Sequence, residues 1–261
     1  MSQLIEKFQK ASSGASQPLG FRTARPVAPV PKLLLIAGLK GAVPAKPGDL
    51  IAGADAVLVR TTDEPSEKAL RKMAESLAKI PWGLYVEDAG NGLIEKAGES
   101  GPDFVVFPTA GRVVSIIKDK KLGKILEVDS AMDDGLLRAI NDLPVDAVLI
   151  SDGPENGPLL WHQLMIFQHL ANLFPKPLII PTPVDLSADE VKALWEAGVD
   201  GILVAVDAEK PEGFKELRKS IDELPPRTGR TGHRTQVVLP RAAAEGRPAP
   251  PPDEEEEEEE E

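Results

Sequence analysis

The sequence predicts a closed (βα)₈ barrel over residues 32–225, preceded by an N-terminal helix and extended connection (1–31) and followed by a disordered charged tail (226–261). Three observations lead to this fold class. Eight short apolar runs follow one another, helical patterns separate most of them, and each run is continuously apolar, as in a parallel sheet covered on both faces. The competing fold is an open doubly wound sheet, but no G-x-G-x-x-G fingerprint follows any run.

The elements follow in chain order. In the first helix, Leu4, Ile5, Phe8 and Ala11 share one helical stripe. The predicted strands are 33–39, 55–60, 83–88, 103–108, 124–129, 146–151, 178–183 and 200–206. The clearest helical patterns between them are 66–80, 133–143, 189–198 and 212–224. Ser187 and Glu190 have the spacing of a capping box that opens the third of these helices.

Four strands begin with an aspartate in nearly the same phrase. ADAVLVR, PDFVVFP, VDAVLIS and VDGILVA contain Asp55, Asp103, Asp146 and Asp200, at intervals of 48, 43 and 54 residues. They are strands 2, 4, 6 and 8 of the predicted barrel, in which core layers are built from alternate strands. Since the aspartates stand at the strand starts, away from the catalytic end of this fold, we interpret all four as structural.

Composition excludes several classes of function. The formal net charge is −12, of which Asp253 and Glu254–Glu261 supply nine negative charges, so the remainder carries only −3 and offers no basic face for nucleic acid. There is no cysteine, which excludes thiolate chemistry and fits a reducing cytoplasm. No signal peptide and no membrane-spanning segment are expected. The tail, basic over 225–244 and then acidic, is typical of a disordered polyampholyte.

Candidate catalytic residues lie at the carboxyl ends of the predicted strands. In the fifth, Leu126 and Val128 suit the helix-facing side, so Ile125, Glu127 and Asp129 should point into the barrel. A carboxylate in that position needs a partner. Glu127 is therefore either a general base or metal ligand, or one half of an internal ion pair with Lys40 or Arg60.

A divalent metal is a second expectation. Only one of the adjacent Glu87 and Asp88 can face inward, and with Glu127 and Asp129 it would give the oxygen-rich cluster that Mg²⁺ or Mn²⁺ prefers. The alternative is a solvated acidic rim. Lys40, in a Gly-rich loop, is a candidate for a Schiff base or for holding an anion, or is simply a surface residue.

The sequence contains none of the common cofactor or catalytic motifs. One apolar helix, in contrast, indicates contact with a second copy of the chain. The sequence contains no P-loop, flavin or nicotinamide motif, no H-E-x-x-H and no G-x-S-x-G. The segment 158–174 is apolar nearly all round, which an outer barrel helix does not require. We therefore expect a homo-oligomer whose interface includes this helix.

Two segments resemble the aldolase-type TIM barrel superfamily. LSADEVKALWEAGVDGILVAVD (186–207) looks like its helix 7–strand 8 element, and GLYVEDAGNGLIEKAGESGPDFVVF (83–107) is similar to a step of the Mg²⁺-dependent 2-oxoacid aldolase and lyase families. The resemblance implies that Glu87 matches a metal-binding glutamate. The matching aspartate would fall at Pro108 or Thr109, which cannot replace it. The turns TPVDLS and VDAEKP lack the glycines of the phosphate- and flavin-binding members.

Two functions follow as hypotheses. The first is a metal-dependent lyase or isomerase acting on a small carboxylated metabolite, with Glu127, Lys40 and Arg60 as catalytic or anion-binding residues and Glu87, Glu127 and Asp129 around the metal. The second is a non-catalytic barrel that works as an assembly or binding subunit through the 158–174 helix and the charged tails.

Overall fold

The computed structural model describes residues 2–12, 32–41, 43, 47–48, 50–61, 65–87, 101–111, 121–154, 157–206 and 211–225. All of them lie in one compact unit, Met1–Arg230. The predicted charged tail (226–261) lies outside the described residues. None of the described helices combines the length and apolarity needed to cross a bilayer.

Eight parallel strands close into a barrel in sequence order, so the predicted (βα)₈ TIM-barrel fold is confirmed. Closure occurs between β1 and β8, which pair in parallel from Leu34 with Gly201 to Gly38 with Ala205. The strands are β1 Leu34–Lys40, β2 Ala56–Arg60, β3 Trp82–Tyr85, β4 Phe104–Pro108, β5 Gly123–Val128, β6 Ala147–Ile150, β7 Leu178–Thr182 and β8 Gly201–Ala205.

Six helices lie in the described part of the chain. They are α1 Gln3–Ser12, α2 Glu67–Ser76, α3 Asp134–Ala139, α4 Trp161–Leu173, α5 Ala188–Glu196 and α6 Pro211–Asp222, and a 3₁₀ turn, Ile140–Asp142, follows α3. The predicted capping box of α5 is confirmed: the backbone N–H of Glu190 donates to Ser187 Oγ, and that of Ser187 donates to Glu190 Oε2. Glu190 Oε1 also accepts from the backbone N–H of Leu159 at 2.7 Å, which ties α5 to the segment before α4.

Strand alternation divides the core into two layers. In β1, Leu34 and Ile36 belong to a cluster inside the barrel, whereas Leu35 and Ala37 belong to the larger cluster between the strands and the outer helices. Because both faces of every strand are buried, continuous apolar runs replace the alternating pattern of a half-exposed sheet.

The four repeated aspartates hold the amino-terminal end of the barrel, which confirms the structural role predicted for them. Three of them accept a backbone N–H near the start of the preceding strand through Oδ2, at 2.8 to 3.0 Å. The pairs are Asp55–Leu35, Asp146–Lys124 and Asp200–Leu178. In three of its four copies, the repeated phrase therefore provides the same hydrogen bond between an odd-numbered strand and the even-numbered strand after it.

Helix α1 packs against the same end, and Asp103 caps it. The Oδ1 of Asp103 accepts from the N–H of Gln3 at 2.7 Å, and Oδ2 accepts from Ser2 Oγ at 2.8 Å and from the N–H of Leu4 at 3.0 Å. Leu4, Ile5 and Phe8 of the helix join the interior cluster. A Cβ at Gly123 of β5 would lie 2.7 Å from Ser2 Oγ, so the close approach of this helix requires glycine there. Helix α1 is therefore part of the barrel core.

Candidate active site

A cavity opens at the carboxyl ends of the strands, the end of this fold where catalytic residues lie. Its volume is about 460 Å³, a size that suits a small-molecule ligand. Leu58, Leu149 and Leu203, which belong to the interior cluster or pack against it, form its apolar floor. The charged residues of its described lining are Lys40, Arg60 and Glu127.

Glu127 contacts both Arg60 and Tyr85. Arg60 Nη2 donates to Glu127 Oε1 at 3.2 Å, and the Tyr85 hydroxyl donates to Oε2. The guanidinium carbon of Arg60 lies 3.7 Å from the centroid of the Tyr85 ring, a cation–π arrangement. These three residues form the Arg60–Tyr85–Glu127 triad, in which each side chain contacts the other two.

Strand register explains why these residues meet. Lys40 is the Cα partner of Arg60 across β1 and β2, and Arg60 is the partner of Tyr85 across β2 and β3. Glu127 approaches from β5. Its neighbour Ile125 belongs to the interior cluster, whereas Leu126 and Val128 belong to the outer one, so alternation directs Glu127 inward as predicted.

Solvent exposure differs strongly within the triad. The Glu127 side chain is 13% exposed and that of Arg60 is 45% exposed. Glu127 is therefore fixed in the wall of the cavity, while Arg60 has free surface from which its other N–H groups can reach a ligand. The ion pair with Arg60, which the sequence left open as an alternative to a catalytic role, is present in the structure.

Tyr85 is held in its neutral form. Burial raises the pKa of its phenol well above 10, and the hydrogen bond to Glu127 and the negative charge of that carboxylate raise it further. Tyr85 therefore stays a hydrogen-bond donor to Glu127 throughout the neutral range. Its hydrogen bond fixes the orientation of the Glu127 carboxylate, and the phenol keeps its own proton.

The three predicted metal ligands do not come together. Glu87 is exposed beyond the end of β3. Asp129 Oδ1 accepts from the N–H of Ala131 at 2.8 Å, and both oxygens of Glu127 are already bonded within the triad. In the described ranges no group of three acidic, histidine or cysteine side chains could hold a metal, and Asp88 lies outside them. Metal binding by Glu87, Glu127 and Asp129 remains a prediction that this arrangement does not favour.

Tyr85 is the site residue that the sequence analysis missed. In the GLYVED run the acidic residues at the end of the strand are the evident candidates, and the tyrosine fits equally well as one member of the apolar run. The alternation that directed Glu127 inward also applies to β3, where Trp82 and Leu84 face the helices and Tyr85 faces inward. Applied to every strand, that rule would have directed Arg60 and Tyr85 inward together with Glu127, without fixing which of them meet.

The opposite wall of the cavity, from β6 to β8, is mainly apolar and rich in proline, and Ser151 and Thr182 are its polar members. Pro154, Pro181 and Pro183 line it together with Val184 and Ala205. A Cβ at Gly153 would lie 1.9 Å from the carbonyl oxygen of Pro181, so the two segments approach at a distance that only glycine permits. This wall is closely packed and contributes no charged side chain to the described lining.

Helix α4 carries a separate exposed apolar surface. Phe167, Leu170 and Ala171 are buried on its inner side, but Leu160, Trp161 and Met165 are 57%, 83% and 67% exposed at its amino-terminal end. Trp161 and Met165 are four residues apart, so they lie on one face of the helix. We call Leu160, Trp161 and Met165 the α4 patch.

Comparison with known proteins identifies the fold and nothing finer. No protein-family model matches the chain, and no curated protein sequence matches it. Among solved structures it is similar to the tryptophan synthase α-subunit of Pyrococcus furiosus, at 16% identity and a TM-score of 0.54, over 73% of this chain and 97% of that one. It is also similar to thiamine phosphate pyrophosphorylase of Pyrococcus furiosus, at 15% identity and a TM-score of 0.54, over 74% and 97%. The predicted aldolase-type TIM barrel is thus confirmed at the level of the fold.

Proposed function

We propose that the chain is a lyase- or isomerase-type enzyme that acts on a small carboxylated metabolite at the mouth of the barrel. The observation that carries the proposal is Glu127, a nearly buried carboxylate fixed between Arg60 and Tyr85 in the wall of a cavity of ligand size. Structural ion pairs also occur in barrels, but this one lies where the fold positions its chemistry.

Lys40 and Arg60 would bind the substrate carboxylate. They are register partners at the ends of β1 and β2, and both line the cavity. No ion pair of Lys40 is found within the described residues, so its charge is available there. A carboxylate placed between these cations would direct the carbonyl group and the carbon beyond it to the Glu127 side of the cavity.

Glu127 would act as the general base. It would take a proton from the carbon next to the substrate's carbonyl group, and the electron pair of the broken C–H bond would move onto the carbonyl oxygen to give an enolate. Lys40 would stabilise that oxygen. Return of the proton to another carbon completes an isomerisation, and loss of a group from the neighbouring carbon completes a lyase reaction. Tyr85 would position the base. No step of this proposal uses a metal.

The test is exchange of the substrate's carbon-bound hydrogen with deuterated water, followed by NMR on 2-oxobutyrate and 2-oxoisovalerate. We expect the wild type to accelerate exchange over buffer and Glu127→Gln to lower that rate by about 10²- to 10⁴-fold. Glu75→Gln, an exposed substitution on α2, is the matched control and should retain the wild-type rate. Exchange equal to buffer, or equal in wild type and Glu127→Gln, would contradict the proposal.

The second candidate function is assembly, and the α4 patch favours it. We propose that the 158–174 helix forms a homo-oligomer interface, because Trp161 and Met165 are exposed on one face next to the exposed Leu160, and such apolar groups are typical of interaction surfaces. Light scattering after size-exclusion chromatography should give an oligomer for wild type and a monomer for the double variant Trp161→Glu, Met165→Glu. Lys72→Glu, at an exposed position of α2, is the control. A monomeric wild type at micromolar concentration would refute this proposal.

A further inference from the structure

We infer that the mouth of the barrel is built for a singly charged carboxylate with an apolar body and that it discriminates against phosphorylated ligands. This inference rests on the proposed function, because it assumes that the cavity is a ligand site. Three independent features of the described lining lead to it: its net charge, the shortage of anion-binding backbone groups, and the apolar wall from β6 to β8.

The charge of the lining matches one negative charge. Lys40 and Arg60 contribute two positive charges and Glu127 one negative charge, which leaves one positive charge facing the cavity. A carboxylate carries one charge at neutral pH, whereas a phosphate monoester carries roughly 1.5 to 2. A carboxylate therefore neutralises the described lining, and a phosphate leaves an excess negative charge that a partly desolvated site disfavours.

The backbone after β7 offers few donors to a phosphate. Barrels that bind phosphate commonly do so with the turns after the seventh and eighth strands and with a helix amino terminus. Pro181, near the end of β7, and Pro183, directly after it, have no N–H group, and neither does Pro154, which lines the cavity from the segment after β6. The turn at 207–210, after β8, lies outside the described residues.

The helices after these strands have acidic amino termini. At α5, Glu190 accepts the N–H of Ser187 through its own carboxylate, and Asp189 adds a second negative charge in the first turn. Burial is slight at Glu190, and hydrogen bonds from Leu159 and Ser187 lower the pKa of its carboxyl, so it is ionised at neutral pH. Glu212 stands in the first turn of α6. The positive ends of both helix dipoles are thus already matched by protein carboxylates, which repel a phosphate.

The wall opposite the cations suits an aliphatic group. Val184, Ala205 and the rings of Pro181 and Pro183 line it, above the leucine floor. A ligand whose carboxylate meets Lys40 and Arg60 would therefore extend its carbon chain toward this wall and floor. Each buried CH₂ corresponds to about a fourfold gain in affinity. A branched six-carbon 2-oxoacid should consequently bind more tightly than pyruvate by about 10- to 60-fold.

Isothermal titration calorimetry on the full chain tests the ligand class directly. The probes are pyruvate, 4-methyl-2-oxopentanoate, inorganic phosphate and glycerol 3-phosphate. We expect 4-methyl-2-oxopentanoate to bind most tightly and both phosphates to bind at least about tenfold more weakly than it does. Tighter binding of either phosphate would overturn the inference but leave the mouth as a ligand site, with the proposed function to be judged by hydrogen exchange. Failure of every probe to bind would overturn both.

A pair of variants isolates the charge argument. Ala205 is exposed at the end of β8 and lines the cavity, so substitution there spares the core. Ala205→Asp cancels the net positive charge of the lining, and Ala205→Asn has nearly the same shape without the charge. The ratio of their affinities for 4-methyl-2-oxopentanoate therefore reports charge alone. We expect the Asp variant to bind about tenfold more weakly than the Asn variant. Equal affinities of the two variants would refute the charge match.

Discussion

Replacing Glu127 by glutamine is the most informative perturbation of the mouth, because the chain has a single tyrosine and that tyrosine reports on the site. Tyr85 donates its hydroxyl hydrogen to Glu127, and the sequence contains no other phenol. Ultraviolet absorbance of the phenolate therefore follows one group of known position. Glutamine keeps the shape of the side chain and an acceptor oxygen but removes the negative charge.

The free energy of unfolding should fall only modestly in Glu127→Gln. Arg60 is 45% exposed, so water solvates most of its charge when the ion pair is lost. Loss of the ion pair therefore costs about 0.5–1 kcal/mol. The hydrogen bond from Tyr85 changes from a charged to a neutral acceptor, which costs about 1 kcal/mol more. A total of about 1.5–2 kcal/mol corresponds to a Tm lower by about 3–8 °C.

The pKa of Tyr85 should decrease in the same variant. Burial, the largest cause of its elevation, is retained, whereas the hydrogen bond to a carboxylate and the carboxylate's charge are lost. Above pH 10 the phenol of the unfolded chain loses its proton while the folded protein keeps it. The contribution of Tyr85 to the free energy of unfolding is therefore fully present below pH 10 and declines as the pH rises above 10. In Glu127→Gln that decline should end at a lower pH, because the folded-state pKa of Tyr85 is lower.

The assay is a spectrophotometric titration of the folded wild type and Glu127→Gln, with Tyr85→Phe as the blank that lacks any phenolate signal. Urea unfolding of both proteins at pH 7 and at pH 10.5 gives the stability difference. A phenol pKa that does not move between wild type and Glu127→Gln would refute the contact between Tyr85 and Glu127. A decrease of more than about 4 kcal/mol in the free energy of unfolding would refute the view that water solvates the unpaired charge of Arg60.

Three further predictions concern the rest of the barrel. Asp103→Ala removes the acceptor for three donors of α1 and should lower stability by about 1–2 kcal/mol, with faster tryptic cleavage after Lys7; cleavage at the wild-type rate would contradict the capping role. The Thr182 hydroxyl is buried without a hydrogen-bond partner among the described residues, so Thr182→Val should raise urea stability by about 1 kcal/mol, and a comparable loss would reveal a hidden partner. Glu190→Gln should cost about 1 kcal/mol at pH 7. Because folding lowers the pKa of Glu190, that difference should begin to shrink as the pH falls below the ordinary value of 4.5 and vanish once the pH is below the folded-state pKa; a difference that stays constant through acid titration would rule out the carboxylate as its cause.

Strand positions could be predicted from the sequence because a strand that is buried on both faces appears as a continuous apolar run. The continuous apolar run 103–108 corresponds to Phe104–Pro108, and 124–129 corresponds to Gly123–Val128. The ends differ by one residue, since hydrogen bonding decides where a strand stops and hydrophobicity does not. Helix α3 is shorter than the predicted 133–143, because its last turn tightens into the 3₁₀ segment Ile140–Asp142.

The site was only partly predictable, because alternation fixes the direction of a side chain but not its partner. Glu127 was expected to face inward, and it does. Which cation it meets depends on strand register, and the pairing of Arg60 with Tyr85 across β2 and β3 cannot be read from either strand alone. The inward direction predicted for Asp129 assumed that this residue belongs to β5. The strand ends at Val128, and the Asp129 carboxylate beyond it accepts a hydrogen bond from the N–H of Ala131.

The capping of α1 by Asp103 has a consequence for synthesis of the chain. Helix α1 is synthesised before its acceptor, which lies about 100 residues downstream, and at roughly 5–20 residues per second this is a wait of about 5–20 s. Phe8 packs against Gly201, the first residue of β8, so its site forms later still. Until then Leu4, Ile5 and Phe8 have no core to enter. The apolar residues of α1 should therefore stay accessible to chaperones and proteases in nascent chains until β8 closes the barrel.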